Sequence, residues 1–186
     1  MENNSEENLI HKIQSGDVSA SRLLYSRYVR YLSAIVSRYL NNDEDVKDVL
    51  QESFLKIFSS IGSFQYKGVG SIKGWMAKIT LNETLKHIRN NRKLKFLELD
   101  VKEMDRPEEE VETENIPSDE IHRMIRELPD GYRTIFNLYV IDGKSHKEIA
   151  TLLHIKESSS ASQLHRAKAI LAEKIKQYKA RYSSSL

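Results

Sequence analysis

Apolar residues recur at steps of three and four through most of this chain, a period that suits packed helices and little else. Leu23, Leu24, Tyr28, Leu32, Ile35, Val36, Tyr39 and Leu40 keep it after a break at Gly16-Asp17, predicting one long amphipathic helix. A second helix is expected directly after it. Asn42 or Asp43 can cap that helix, its first turn is acidic as the helix dipole favours, and Val46, Val49, Leu50, Phe54, Ile57, Phe58 and Ile61 form its apolar stripe. The segment Gly62–Gly74 holds four glycines and reads as a loop whose backbone can approach another molecule closely. A third helix is predicted from about Trp75 to Asn91, burying Trp75, Met76, Ile79 and Ile88. Lys78, Asn82, Lys86 and Arg89 share another face of it, at i, i+4, i+8 and i+11. No alternating run is long enough for a strand, so the fold class is all-α.

Residues 98–120 interrupt the pattern with a run of acids, two of the three prolines and few large apolar groups, a composition that cannot bury enough surface to fold. Two helical domains are expected on either side, residues 5–95 and 118–180, joined by an acidic flexible linker over 96–117. Pro117-Ser118-Asp119-Glu120 supplies a cap and an acidic first turn for a helix running to Leu128. Charge follows the same division. Residues 1–97 carry 15 Lys+Arg against 10 Asp+Glu, residues 98–120 carry 2 against 11, and residues 121–186 carry 12 against 6. Two basic blocks flanking an acidic one point to a polyanionic partner.

Several function classes are excluded. The chain has no cysteine, hence no disulfide framework, thiolate metal site or thiol nucleophile. The start MENNSEENLI lacks the basic and apolar parts of a signal peptide, and no apolar run approaches the roughly 18 residues of a membrane span, so a cytoplasmic protein with no membrane insertion is expected. Asp43, Glu44, Asp45, Asp48 and Glu52 lie along one capped helix, whereas the ligands of a metal-dependent nuclease converge from several elements. The six histidines show no paired metal spacing. No catalytic residue, metal or cofactor is expected, and the chain does not read as an enzyme.

After Gly143, the stretch SHKEIATLLHIKESSSASQLHRAKAIL divides into a short helix, a three-residue turn and a longer helix, which is helix-turn-helix spacing. Ala150 allows close helix crossing and Ile155 can plug the joint. The longer helix buries Leu164, Ala167 and Leu171, and its other face is expected to offer Ser160, Ser162, Gln163, His165 and Arg166 to base edges and phosphates.

These residues resemble the extracytoplasmic-function sigma factors of the sigma-70 family over nearly the whole chain. The stretch Asp48-Val49-Leu50-Gln51-Glu52-Ser53-Phe54-Leu55-Lys56-Ile57-Phe58 is similar to the family segment that docks on the largest polymerase subunit. The resemblance implies core RNA polymerase binding through Asp48, Val49, Gln51, Glu52, Phe54 and Leu55. Gly74-Trp75-Met76-Ala77-Lys78-Ile79 with Asn82 and His87-Ile88-Arg89 looks like the promoter-melting segment, which implies minus-10 contacts at Trp75, Lys78, Asn82, Lys86 and Arg89. A glycine-rich loop beside an aromatic and a basic helix suits an extruded base and its phosphates. Leu128-Pro129, Arg133, Gly143, Ser145, Glu148-Ile149-Ala150, Leu153, Ile155 and Arg166-Ala167-Lys168 resemble the minus-35 module, implying contacts through the polar face named above. His154 stands where the family usually has a turn glycine; histidine tolerates left-handed backbone, so the turn is expected to survive.

The resemblance implies a sigma factor whose partners are bacterial core RNA polymerase, promoter DNA at both elements, and an anti-sigma protein. The alternative from another class is a dimeric helix-turn-helix regulator that never binds polymerase as a subunit.

Overall fold

A computed structural model of the chain describes residues 3–90 and 116–183. Its contacts divide into two compact units, Met1–His87 and Ile88–Leu186. In both, every regular element among the described residues is helical.

The Gly16-Asp17 break is a turn followed by a cap. Gly16 takes a φ of 91°, and the Asp17 carboxylate accepts from the Ser19 and Ala20 amides at 2.8 and 3.1 Å. Asp17 thereby opens α2 (Val18–Ser37). Ahead of the turn lies α1 (Asn3–Gln14), a helix that the spacing argument does not identify. Its three apolar positions, Leu9, Ile10 and Ile13, are too few to establish a period, yet all three are buried. Asn42 is the cap of α3 (Asp43–Ser60), accepting from Glu44 and Asp45 at 2.8 and 3.1 Å.

A single 3-10 turn at Ile61–Ser63 leads into the glycine-rich loop, and α4 (Ser71–Asn90) begins earlier than Trp75. Gly68 and Gly70, at φ 107° and 82°, already complete the reversal, so Gly74 sits within the helix. Leu9, Ile10, Leu24, Leu32, Phe54, Ile57, Ile72 and Met76 make the core where the four helices meet. Leu23, which fits the α2 stripe by spacing, is instead 48% exposed.

In the second unit, α5 (Ser118–Arg126) follows Pro117 without a side-chain cap, so the Ser118 hydroxyl does not do what its position suggests. Then come α6 (Asp130–Phe136), a π-helical turn at Asn137–Ile141, α7 (His146–Leu153) and α8 (Glu157–Ser183). Ile116, expected in the linker, is buried with Met124, Leu128, Ala167, Leu171 and Ile175 and belongs to this core. Its acidic surroundings hide one apolar side chain that has somewhere to pack. The remaining linker residues, 96–115, and the end of the first expected domain, 91–95, lie outside the described residues.

A buried charge organises this unit. Arg133, only 2% exposed, donates through Nη1 to the carbonyls of Arg126 and Leu128, both at 2.9 Å, and through Nη2 to Asp130 at 2.6 Å. It closes the C-terminal end of α5, whose last carbonyls have no helical partner, and fixes where α6 begins. Replacing Arg133 with Met keeps much of the volume but orphans those carbonyls. Urea denaturation is expected to show a loss of about 2–4 kcal/mol; a change below about 0.5 kcal/mol would show that water replaces the guanidinium at no cost.

Candidate nucleic-acid interface

Helix α3 turns two kinds of side chain in opposite directions. Val49 and Phe54, which the resemblance implies for docking, are buried. Phe54 lies 4.6 Å from the Tyr25 ring and 5.9 Å from Phe58, so the pair anchors the helix rather than offering a surface. Asp48, Gln51, Glu52 and Leu55 are exposed at i, i+3, i+4 and i+7. Leu55 is 58% exposed, an apolar side chain among polar ones on one stripe.

On α4, Trp75, Lys78, Asn82, Lys86 and Arg89 fall within an arc of roughly 80° at 3.6 residues per turn. Lys78, Asn82 and Lys86 are exposed, while Arg89 and Trp75 are half-buried. The Trp75 ring packs on Phe64 at 4.9 Å, tying the helix to the glycine-rich loop. Beneath the arc, the buried Glu83 accepts from Lys56 of α3 at 2.7 Å and lies 3.4 Å from Lys86. Burial pushes the Glu83 carboxyl up, but the bonds and charges of Lys56 and Lys86 outweigh it and hold the group below its ordinary 4.5. Part of the Lys86 charge is thus spent inside the protein.

The helix-turn-helix has the expected form. Residues 154–156 separate α7 from α8, and His154 is left-handed at φ 56°, ψ 46°. Ser145 and Glu148 form a reciprocal capping box on α7. The Ser145 hydroxyl accepts from the Glu148 amide, and the Glu148 carboxylate accepts from the Ser145 amide at 2.8 Å and from its hydroxyl at 2.9 Å, two bonds that hold the carboxyl below its usual range. The Ser-x-x-Glu spacing ahead of an apolar run was a readable signal for it.

Helix α8 corrects the expected contact set. Ser160, Gln163, Leu164, Ala167, Leu171 and Ile175 are buried, at i, i+3, i+4, i+7, i+11 and i+15. Ser160 and Gln163 therefore face inward. Ser160 Oγ meets His146 Nδ1 at 3.0 Å, and Gln163 is 4% exposed. Polar residue type suggested an outer face, but the spacing places both in the leucine stripe. The outward arc holds Ser162, His165 and Arg166, all half-buried, together with exposed Ser158 and Ala161 near the helix start. Ser162 spends its hydroxyl on the Ser159 carbonyl at 3.1 Å.

These features define a helical nucleic-acid-binding protein with one helix-turn-helix unit and a second, separately folded helical unit. Residues 24–94 match the model of Sigma-70 region 2, and residues 118–171 that of Sigma-70, region 4. The chain is 29% identical over 187 residues to an ECF RNA polymerase sigma-E factor of Haemophilus influenzae, covering 92% of this chain and 95% of that protein. It is 26% identical over 176 residues to an RNA polymerase sigma-H factor of Pseudomonas aeruginosa, covering 88% and 90%. A solved structure of CnrH in complex with the cytosolic domain of CnrY aligns at 20% identity and a TM-score of 0.44, covering 91% of this chain and 96% of that one. The chain belongs to the sigma-70 family, in its extracytoplasmic-function class, and is a sigma factor that directs RNA polymerase to promoters. Among the described residues, no helix is long and apolar enough to cross a membrane.

Because the Glu83 carboxyl is held below 4.5, its contribution to stability is present above that pH and is lost as pH falls through the lowered value. Thermal unfolding of Glu83→Gln should accordingly show a shallower loss of stability on acidification below 4.5 than wild type. Parallel acid profiles would mean that the Lys56–Glu83 pair contributes nothing in solution.

Proposed function

We propose that the chain works as a single-copy, non-enzymatic promoter-specificity subunit in the cytoplasm, with one surface for each partner on a different helix. The outer stripe of α3, made of Asp48, Gln51, Glu52 and Leu55, docks on core polymerase. The α4 arc of Trp75, Lys78, Asn82, Lys86 and Arg89, with the glycine-rich loop, holds the melted minus-10 strand. The outer arc of α8, with Ser162, His165 and Arg166, reads the minus-35 duplex, and residues 96–115 tether the two domains. An anti-sigma protein that masks these surfaces completes the proposal on family grounds.

The observation that carries this reading is the separation of surfaces between two helices: a polar stripe ending in an exposed leucine on α3 and a basic arc around an exposed asparagine on α4. Base capture needs an aromatic platform and phosphate-neutralising cations, which α4 has. A protein contact combines apolar and polar side chains, and the α3 stripe carries both.

Replacing Asp48, Gln51 and Leu55 with Ala is expected to abolish stoichiometric binding to core polymerase while leaving the fold intact, as size-exclusion chromatography and circular dichroism can read. Retained binding would move the docking surface elsewhere. Asn82→Ala is expected to keep polymerase binding and impair promoter opening. Lys78→Ala should reduce the slope of log affinity against log salt by about 1. Unchanged opening and slope in both would remove α4 from the minus-10 contact.

A further inference from the structure

Helix α1 carries none of the surfaces assigned above, yet its side chains reach both ends of the glycine-rich loop. Gln14 Nε2 donates to the carbonyls of Ile61 and Phe64, both at 3.0 Å. Two turns earlier, Glu6 accepts from the Gly70 amide through Oε2 at 3.0 Å and from the Tyr28 hydroxyl through Oε1 at 2.9 Å. We propose that α1 is a clasp that presets the loop for bases of the melted minus-10 strand, with Glu6 and Gln14 as positioning residues that touch no DNA themselves. The inference rests on the minus-10 reading of α4 and its loop.

The bonds are placed as a clasp requires. Glu6 and Gln14 stand about 12 Å apart along one rigid helix, so together they fix the separation of the loop's two ends. The Glu6 carboxylate is itself held. Tyr28 is buried on α2, and burial together with the adjacent carboxylate pushes its hydroxyl up to about 12, so it stays a donor at any physiological pH. One carboxylate oxygen is pinned to the core and the other points at Gly70. Inside the span, the Lys67 amide donates to Ser71 Oγ at 3.2 Å, and Phe64 packs on Trp75. Between the left-handed Gly68 and Gly70, Val69 is left 72% exposed at the tip. An apolar side chain held out on a doubly anchored turn is what a base in transit can pack against. A loop ordered in advance loses less entropy on capture, so the clasp should appear as affinity for melted DNA and as discrimination between bases.

The test uses holoenzyme assembled from core polymerase and the full chain, on a promoter that this holoenzyme selects from a random library, with each minus-10 base permuted. Glu6→Ala and Gln14→Ala should each lower promoter opening and base discrimination about 3- to 10-fold, the worth of one or two hydrogen bonds. Polymerase affinity should not change. Glu6→Gln should restore most of the loss, because its carbonyl can accept from Gly70 while its amide donates to Tyr28. Hydrogen exchange at the Gly70 amide of the free protein should accelerate in Glu6→Ala and return toward wild type in Glu6→Gln, a readout independent of DNA.

Wild-type opening and discrimination in Glu6→Ala and Gln14→Ala, with Asn82→Ala still impaired, would overturn the clasp and leave the minus-10 reading standing. If Asn82→Ala is silent as well, the minus-10 reading falls and the clasp with it. A Glu6→Gln that is as defective as Glu6→Ala would also overturn it, since a hydrogen-bonding clasp accepts the amide.

Discussion

Burial of one stripe per helix fixes the rotation of α3, α4 and α8 about their own axes, and with it the side chains each can offer to a partner. Phe54 and Ile57 turn α3 so that Leu55 faces outward. Ile72 and Met76 turn α4 so that Lys78 and Asn82 do. Each fully buried aliphatic side chain contributes about 1.5–3 kcal/mol, far more than any single exposed contact, so the core decides and the functional face is what remains. Ser160 and Gln163 show how strict this is. Both are polar, yet both lie in the leucine stripe of α8 and go inside.

Position along the helix axis is set by different forces. At the helix-turn-helix the short joint leaves little freedom, and His154 supplies the left-handed residue that lets α8 leave α7 sharply. The capping box at Ser145 and Glu148 starts α7, and His146, the next residue, reaches Ser160 of α8 while its ring stacks 4.5 Å from Tyr139. Three elements are thus joined through one imidazole near the start of α8. In the first unit, Lys56 and Glu83 make the comparable cross-link between α3 and α4, so the helix proposed for polymerase and the helix proposed for DNA are coupled by a buried carboxylate.

Much of this was legible in the residues. The all-α class, the helix-turn-helix joint and the tolerance of His154 follow from period, spacing and backbone preference, because those properties are local. The α4 basic arc was legible for the same reason. Other features depend on what lies opposite. Nothing near Glu6 or Gln14 announces a bond to residues 50 or more positions away, as with Gln14 and Phe64 or Glu6 and Gly70. Val49 and Phe54 match a docking segment by type, but only packing shows that their neighbours Asp48 and Leu55 are the ones exposed. Ile116 reads as linker among acids until a hydrophobic pocket formed by distant α8 residues receives it.

A single chain that carries polymerase to a promoter through the separate surfaces proposed on α3, α4 and α8 forms an asymmetric, one-copy complex. The most direct test is the mass of the complex formed by this chain, core polymerase and a selected promoter fragment, measured with a footprint of the same complex. One copy of the chain, bound only when polymerase is present in the complex and protecting an asymmetric pair of elements, is the predicted result. Two copies protecting a palindrome without polymerase would contradict the account and identify a dimeric regulator.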